Sequence, residues 1–176
     1  MASAVKESAH VALNVSHGGT LPYEPSGYIL SYGVSYKRVS TKGKALGELP
    51  ACPPSAEAVH AAFVSKCGFS PTFLPTLNSD VTPRRMVEDV RLAATKMASH
   101  DVVVLFFSGH GKRMDDTACV FDGAGCIVSV RKLLAVFAKT VVDRSLCDAA
   151  FVVILDCCQT LSDGKLWPAC DLVVSC

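Results

Sequence analysis

The sequence predicts an α/β domain organised on a mainly parallel sheet, and three observations carry that expectation. The apolar runs 102–107 (VVVLFF) and 151–155 (FVVIL) have no polar break, the pattern of strands covered on both faces. Stretches with helical spacing alternate with such runs, as parallel strands need crossover connections. Half of the residues are hydrophobic, and a mean hydropathy of +0.35 suits a sheet with little exposed face. A chain of 176 residues is expected to form one ordinary domain with a sizeable core.

Residues 1–26 are small and polar and read as a poorly ordered arm, with His10 and His17 exposed in it. The folded domain is expected over 27–176. Residues 27–36 (GYILSYGVSY) mix β-branched and aromatic types and read as the first strand. Residues 37–54 hold Lys, Gly, Ser and Pro and read as a mobile loop. Pro53 and Pro54 then open a small-faced helix through Ala58, Ala61, Ala62 and Val64 to Cys67, closed by Gly68. His60 reads as a surface or packing residue of that helix.

Residues 69–74 read as a short edge strand, interrupted by Pro71. Thr82 is the expected N-cap of a second helix with Pro83 at its first position. Met86, Val90, Ala93, Ala94 and Met97 recur along one face of it, and the methionines are expected as core filler. After the 102–107 strand come a turn at 112–117 and a short extended segment at 118–121. Residues 127–130 lead into a helix with Leu133, Leu134, Val136, Phe137 and Val141 on its apolar side. The 151–155 strand follows, and 171–175 reads as the start of another.

Lys and Arg total 17 against 16 acidic residues, and no strongly basic stretch occurs, so nucleic acid is not an expected partner. The first residues lack a signal-peptide apolar core, and no apolar run approaches the roughly 20 residues of a membrane span. Neither a membrane nor export is therefore expected. The nine cysteines are scattered, without a C-x-x-C pair or zinc-like spacing. Reduced thiols in the cytoplasm are the expectation.

The chemistry concentrates where the two apolar runs end. The first stops at Ser108-Gly109-His110-Gly111 and the second at Asp156-Cys157-Cys158. Open α/β sheets bind ligands at the C-terminal ends of their strands. If the strands are neighbours, an imidazole and a thiol meet there. Histidine can take the thiol proton and later protonate the leaving amine, and backbone N–H groups can hold the oxyanion. The plain alternatives are a tight Gly-His-Gly turn and small buried cysteines.

These stretches resemble the large catalytic subunit of the caspase-like clan, and within it the metacaspase and paracaspase branches. The apolar strand ending in S-G-H-G, the strand ending in D-C-C, and the C-V-F-D…I-V-S-V region between them carry the resemblance. His110 and Cys158 stand 48 positions apart (158 − 110), near the separation of about 50 in caspases. The resemblance implies a three-layer caspase-like sandwich, C-terminally incomplete because 171–176 resembles the first strand of the small subunit. It implies His110 as general base and acid, Cys158 as nucleophile, and the N–H groups of Gly111 and Cys158 as the oxyanion hole. Cys157 is only the residue before the nucleophile. Asp156 would hold a basic side chain before the cut, since a carboxylate pairs with arginine or lysine. Residues 46–53 contain no arginine of the kind that holds aspartate in true caspases. The bland role for Asp156 is to cap the following turn.

The departures set further expectations. Gln159-Thr160-Leu161 follows the cysteine where metacaspases read His-Ser-Gly. Only Asp115, Asp116 and Asp122 are available for calcium, too few for its 6–8 oxygen ligands, so no calcium site and no other cofactor is expected. Residues 159–170 form a short linker in which Lys165 is the one processing candidate. The implied function is a cysteine endopeptidase acting on protein or peptide substrates after Arg or Lys. The alternative is a weak or inactive caspase-like domain that regulates or scaffolds other caspase-like chains.

Overall fold

The computed structural model describes residues 27–41, 44–114, 117–146, 148–157, 159–160 and 173–175. In chain order the first elements are β1 (Gly27–Gly33), β2 (Ser40–Thr41), β3 (Lys44–Ala45), α1 (Cys52–Cys67) and β4 (Thr76–Leu77). Next come α2 (Pro83–Lys96), β5 (Val102–Ser108), β6 (Gly111–Met114), β7 (Thr117–Phe121) and β8 (Ile127–Ser129). The last are α3 (Val130–Asp143), β9 (Ala150–Asp156), β10 (Gln159–Thr160) and β11 (Val173–Ser175). The expectations for residues 1–26, Asp115, Asp116, Cys158 and Lys165 fall outside the described residues.

The main sheet has the order β11-β9-β5-β1-β4. Its four strands β9, β5, β1 and β4 run parallel, and β11 is antiparallel to β9. β1 and β5 are sealed because each side of the sheet carries a helical layer there. β9, expected to be covered on both faces, keeps Val152 and Ile154 only partly buried, because α1 packs over β1 and β5. On one side α1 packs on Ile29, Val104 and Phe106, with Ala56 wholly buried. On the other, Leu30, Tyr32, Val103, Leu105, Phe107, Phe151, Val153 and Leu155 meet Met86, Val90, Ala93 and Ala94 of α2 and Leu133 and Phe137 of α3. The Phe137 ring stacks on Phe151 at 4.8 Å. Burying each such large side chain stabilises the fold by about 1.5–3 kcal/mol. This is the expected three-layer α/β sandwich, and the methionines are core.

Local chemistry sets the helix ends. Thr82 Oγ1 accepts the Arg85 N–H at 3.1 Å and Pro83 stands first in α2, as expected. Gly68 closes α1 in the left-handed conformation (φ 71°) that glycine adopts without strain. The last carbonyls of α2 receive a donor from far along the chain, since Arg144 Nη1 donates to Ala94 and Met97 at 2.7 and 2.8 Å. Asp89, buried on α2, accepts from Tyr32 Oη and Arg85 Nε. Burial, aided by the adjacent Asp89 carboxylate, holds the Tyr32 phenol well above its ordinary range.

Gly33 decides how close α1 comes to β1. A Cβ there would stand 2.6 Å from the Cys52 carbonyl oxygen and 2.9 Å from Ala56 Cβ. Gly33→Ala is therefore expected to destabilise by about 1–3 kcal/mol through overpacking, read as a lower Tm in thermal unfolding.

Three further expectations are corrected. Residues 69–74 form no strand; a single bridge joins Ser70 to Tyr28, and the edge strand is β4, paired with Tyr32 and Gly33. Pro71 and Pro75 have no N–H with which to extend a ladder through that stretch. The expected turn at 112–117 instead holds β6, polar in sequence but paired with β7 on one side and β10 on the other. The 37–54 loop holds the β2–β3 hairpin and is tied back by Leu46 N–H to Val39 (3.0 Å) and Leu49 N–H to Ser35 (2.7 Å).

Candidate active site

Strands β5 and β9 are neighbours, paired in register from Val102↔Ala150 to Ser108↔Asp156. Their C-terminal ends therefore lie side by side. Beyond β5 the chain turns through Gly109 and His110 into β6, which begins a second sheet of order β10-β6-β7-β8. The Gly109 N–H still reaches the Asp156 carbonyl at 3.3 Å. A Cβ at Gly109 would lie 2.7 Å from Tyr36 Oη and 2.8 Å from the Phe107 ring, so only glycine fits this corner. After β9, Gln159 pairs with Gly111. Ser108↔Asp156 and Gly111↔Gln159 carry one offset of 48, the separation of His110 and Cys158 in the sequence. Cys158 itself is outside the described residues.

His110 is half-buried, and its Nε2 lies 2.7 Å from the Gly47 carbonyl oxygen. A carbonyl oxygen can only accept, so Nε2–H donates. In the neutral ring this leaves Nδ1 as the basic nitrogen. The Tyr36 ring lies against the imidazole with centroids 4.7 Å apart, tilted by 48°. Tyr36 Oη accepts the His110 backbone N–H at 3.0 Å and donates to the Phe121 carbonyl at 2.6 Å. Burial pushes the Tyr36 phenol far above its ordinary range, against the lowering effect of the His110 N–H, so it remains protonated and able to donate.

The hairpin register also orients Gly111. Phe121 N–H donates to the His110 carbonyl at 3.0 Å, which makes His110 and Phe121 a hydrogen-bonded pair. In an antiparallel ladder such pairs alternate, so the next pair, Gly111↔Val120, is of the non-bonded type. The Gly111 N–H consequently points away from β7, toward the β10 side.

Asp156 ends β9 with its side chain exposed rather than buried, on the same face of the strand as Val152 and Ile154, which are only partly covered. One carboxylate oxygen, Oδ2, accepts from Ser108 Oγ at 2.8 Å, which fixes its orientation. Cys157 is half-buried against the main core cluster. A cavity of about 250 Å³ beside His110 is lined by Thr41, Leu46, Gly47, Lys112 and Phe121. Asp122 is buried and occupied in the β7–β8 turn, where Oδ1 accepts from the N–H groups of Ala124 and Cys126 at 3.0 and 2.6 Å. Among the described residues no group of three or more His, Cys, Asp or Glu side chains could hold a metal ion. Likewise, no helix among them is long and apolar enough to cross a membrane.

Three site residues escape sequence reasoning. Gly47 contributes only a carbonyl, Tyr36 reads as the tail of a strand, and the Ser108 hydroxyl belongs to a motif noted for its histidine. The positive φ of Tyr36 (60°) marks the bend that aims the phenol, and it has no signature in the sequence.

Residues 33–170 match the family model described as the caspase domain. The chain belongs to the caspase-domain family. Among 54 matching solved chains, protein GSU0716 from Geobacter sulfurreducens is 26% identical with a TM-score of 0.58, covering 76% of this chain and 51% of that one. The Drosophila initiator caspase Dronc is 12% identical with a TM-score of 0.44, covering 73% and 54%. The caspase domain here thus spans about half the length of these two structures. No curated protein matches the sequence.

Proposed function

We propose that this caspase domain is the catalytic portion of a cysteine endopeptidase in which His110 and Cys158 form the reacting pair. The observation that carries the reading is the in-register pairing of β5 and β9, with the His110 imidazole tied through Nε2–H to Gly47. The Cys158 thiol gives its proton to His110 Nδ1, and the thiolate attacks the scissile carbonyl carbon. The oxyanion is held by the N–H groups of Gly111 and Cys158. Collapse breaks the C–N bond, and His110 Nδ1–H protonates the departing amine. Water, deprotonated by His110, then attacks the thioester and releases the carboxylic acid, restoring the thiol.

Cleavage after Arg or Lys is the specificity we assign, through Asp156. Its carboxylate is exposed at the mouth of the β5–β9 strand ends and anchored by Ser108, open to a guanidinium or ammonium group. The reading as a regulatory partner of other caspase-like chains is favoured by one feature, Gln159 directly after the cysteine.

The test is to incubate the reduced, folded chain with fluorogenic peptides ending in Arg, Lys or Asp, beside Cys158→Ala. Release after Arg or Lys that vanishes in the variant is the expected result. Release after Asp alone removes the role of Asp156, and silence on every peptide favours the regulatory reading.

A further inference from the structure

We propose that Tyr36 is a positioning residue: its hydroxyl, wedged into the hydrogen-bonded pair His110–Phe121, sets where the imidazole of His110 stands. The kinetic part rests on the peptidase reading above.

The β6–β7 register pairs Gly111 with Val120, so the next pair toward the corner is His110 with Phe121. A bonded antiparallel pair exchanges two N–H···O=C bonds. One is made directly, from Phe121 N–H to the His110 carbonyl at 3.0 Å. The reciprocal bond is absent. In its place the His110 N–H donates to Tyr36 Oη at 3.0 Å, and Oη donates onward to the Phe121 carbonyl at 2.6 Å. One phenolic oxygen therefore holds the rung open and keeps the His110 backbone off β7.

The wedge is itself firmly placed. Tyr36 is 1% exposed, and its carbonyl accepts the Val39 N–H at 3.2 Å. On the preceding residue, Ser35 N–H donates to Asn78 Oδ1 at 3.0 Å. The segment that starts at Tyr36 also carries Gly47, whose carbonyl takes the Nε2–H of the same histidine at 2.7 Å. This segment thus grips His110 at two points, the backbone through Tyr36 and the ring through Gly47. A tyrosine that merely filled the core would need a partner for its hydroxyl. It would not need that partner to be the backbone of this histidine.

Tyr36→Phe keeps the ring and removes the wedge. The His110 N–H and Phe121 carbonyl then satisfy each other directly, which draws His110 toward β7 and its Nε2 off Gly47. The expected kinetic signature is a kcat about tenfold lower or more, because a small displacement of a reacting group is costly, with KM nearly unchanged. The expected spectroscopic signature, in protein labelled with ¹⁵N-histidine, is a shift of the His110 Nε2 resonance away from that of a hydrogen-bonded N–H. A folded Tyr36→Phe chain with wild-type kcat and wild-type ring nitrogen shifts overturns the proposal. If the variant does not fold, the wild-type chain decides. Its His110 amide should exchange slowly with solvent and show a nuclear Overhauser contact to the Tyr36 hydroxyl proton. An amide that exchanges like an open loop overturns the wedge. Absence of peptide cleavage by the wild-type chain refutes the peptidase reading alone, since both resonance measurements stand without turnover.

Discussion

His110→Ala is expected to lower kcat/KM on Arg- or Lys-ended peptides by about 10⁴-fold, roughly 5.4 kcal/mol of transition-state stabilisation. The size follows from the two protons that one ring handles, first from the thiol and then to the amine. Cys158→Ala should be at least as damaging, and the double variant should be no worse than Cys158→Ala. Groups that act as a unit lose their contribution together. Additive losses would show instead that imidazole and thiol act independently. Thermal unfolding serves as the control, because His110 is only half-buried and its ring bond to Gly47 is a single neutral hydrogen bond.

Asp156→Asn is expected to reduce cleavage after Arg or Lys by about 10²-fold, the scale of losing a charge-assisted contact to the substrate. This substitution isolates charge from structure. Asparagine Oδ1 can still accept the Ser108 hydroxyl that now reaches Asp156 Oδ2 at 2.8 Å, so the end of β9 keeps its anchor. Hydrolysis rates on the matched peptides, with Tm alongside, read the outcome. An unchanged preference for Arg in the folded variant would leave Asp156 with only its bond to Ser108.

The parts of the fold legible in the sequence are those where one local rule dominates. The 102–107 and 151–155 runs both announce strands, and β5 and β9 lie there as neighbours. β5 is sealed on both faces, whereas β9 is fully buried only through Phe151, Val153 and Leu155 and leaves Val152 and Ile154 partly exposed. Thr82 with Pro83 announces a helix start, and the cap bond is made. The 69–74 stretch misled because Phe69 and Phe73 look strand-like, whereas the prolines at 71 and 75 deny it a ladder. β6 was illegible because Gly-Lys-Arg-Met has no apolar alternation; pairing on both sides makes it a strand. At the candidate site, His110 was legible from its flanking glycines and strand end. Its two anchors were not, because Gly47 acts through a carbonyl and Tyr36 through a hydroxyl inserted 74 residues away along the chain.

The pairing of imidazole and thiol is tested most directly by labelling. The reduced chain is treated with a peptidyl acyloxymethyl ketone ending in arginine, and the adduct is mapped by peptide mass spectrometry across its nine cysteines. One equivalent on Cys158, lost in His110→Ala and absent with an aspartate-ended reagent, is the expected result. Adducts on Cys157, or spread over several cysteines regardless of His110, would contradict a nucleophile activated at the end of β9.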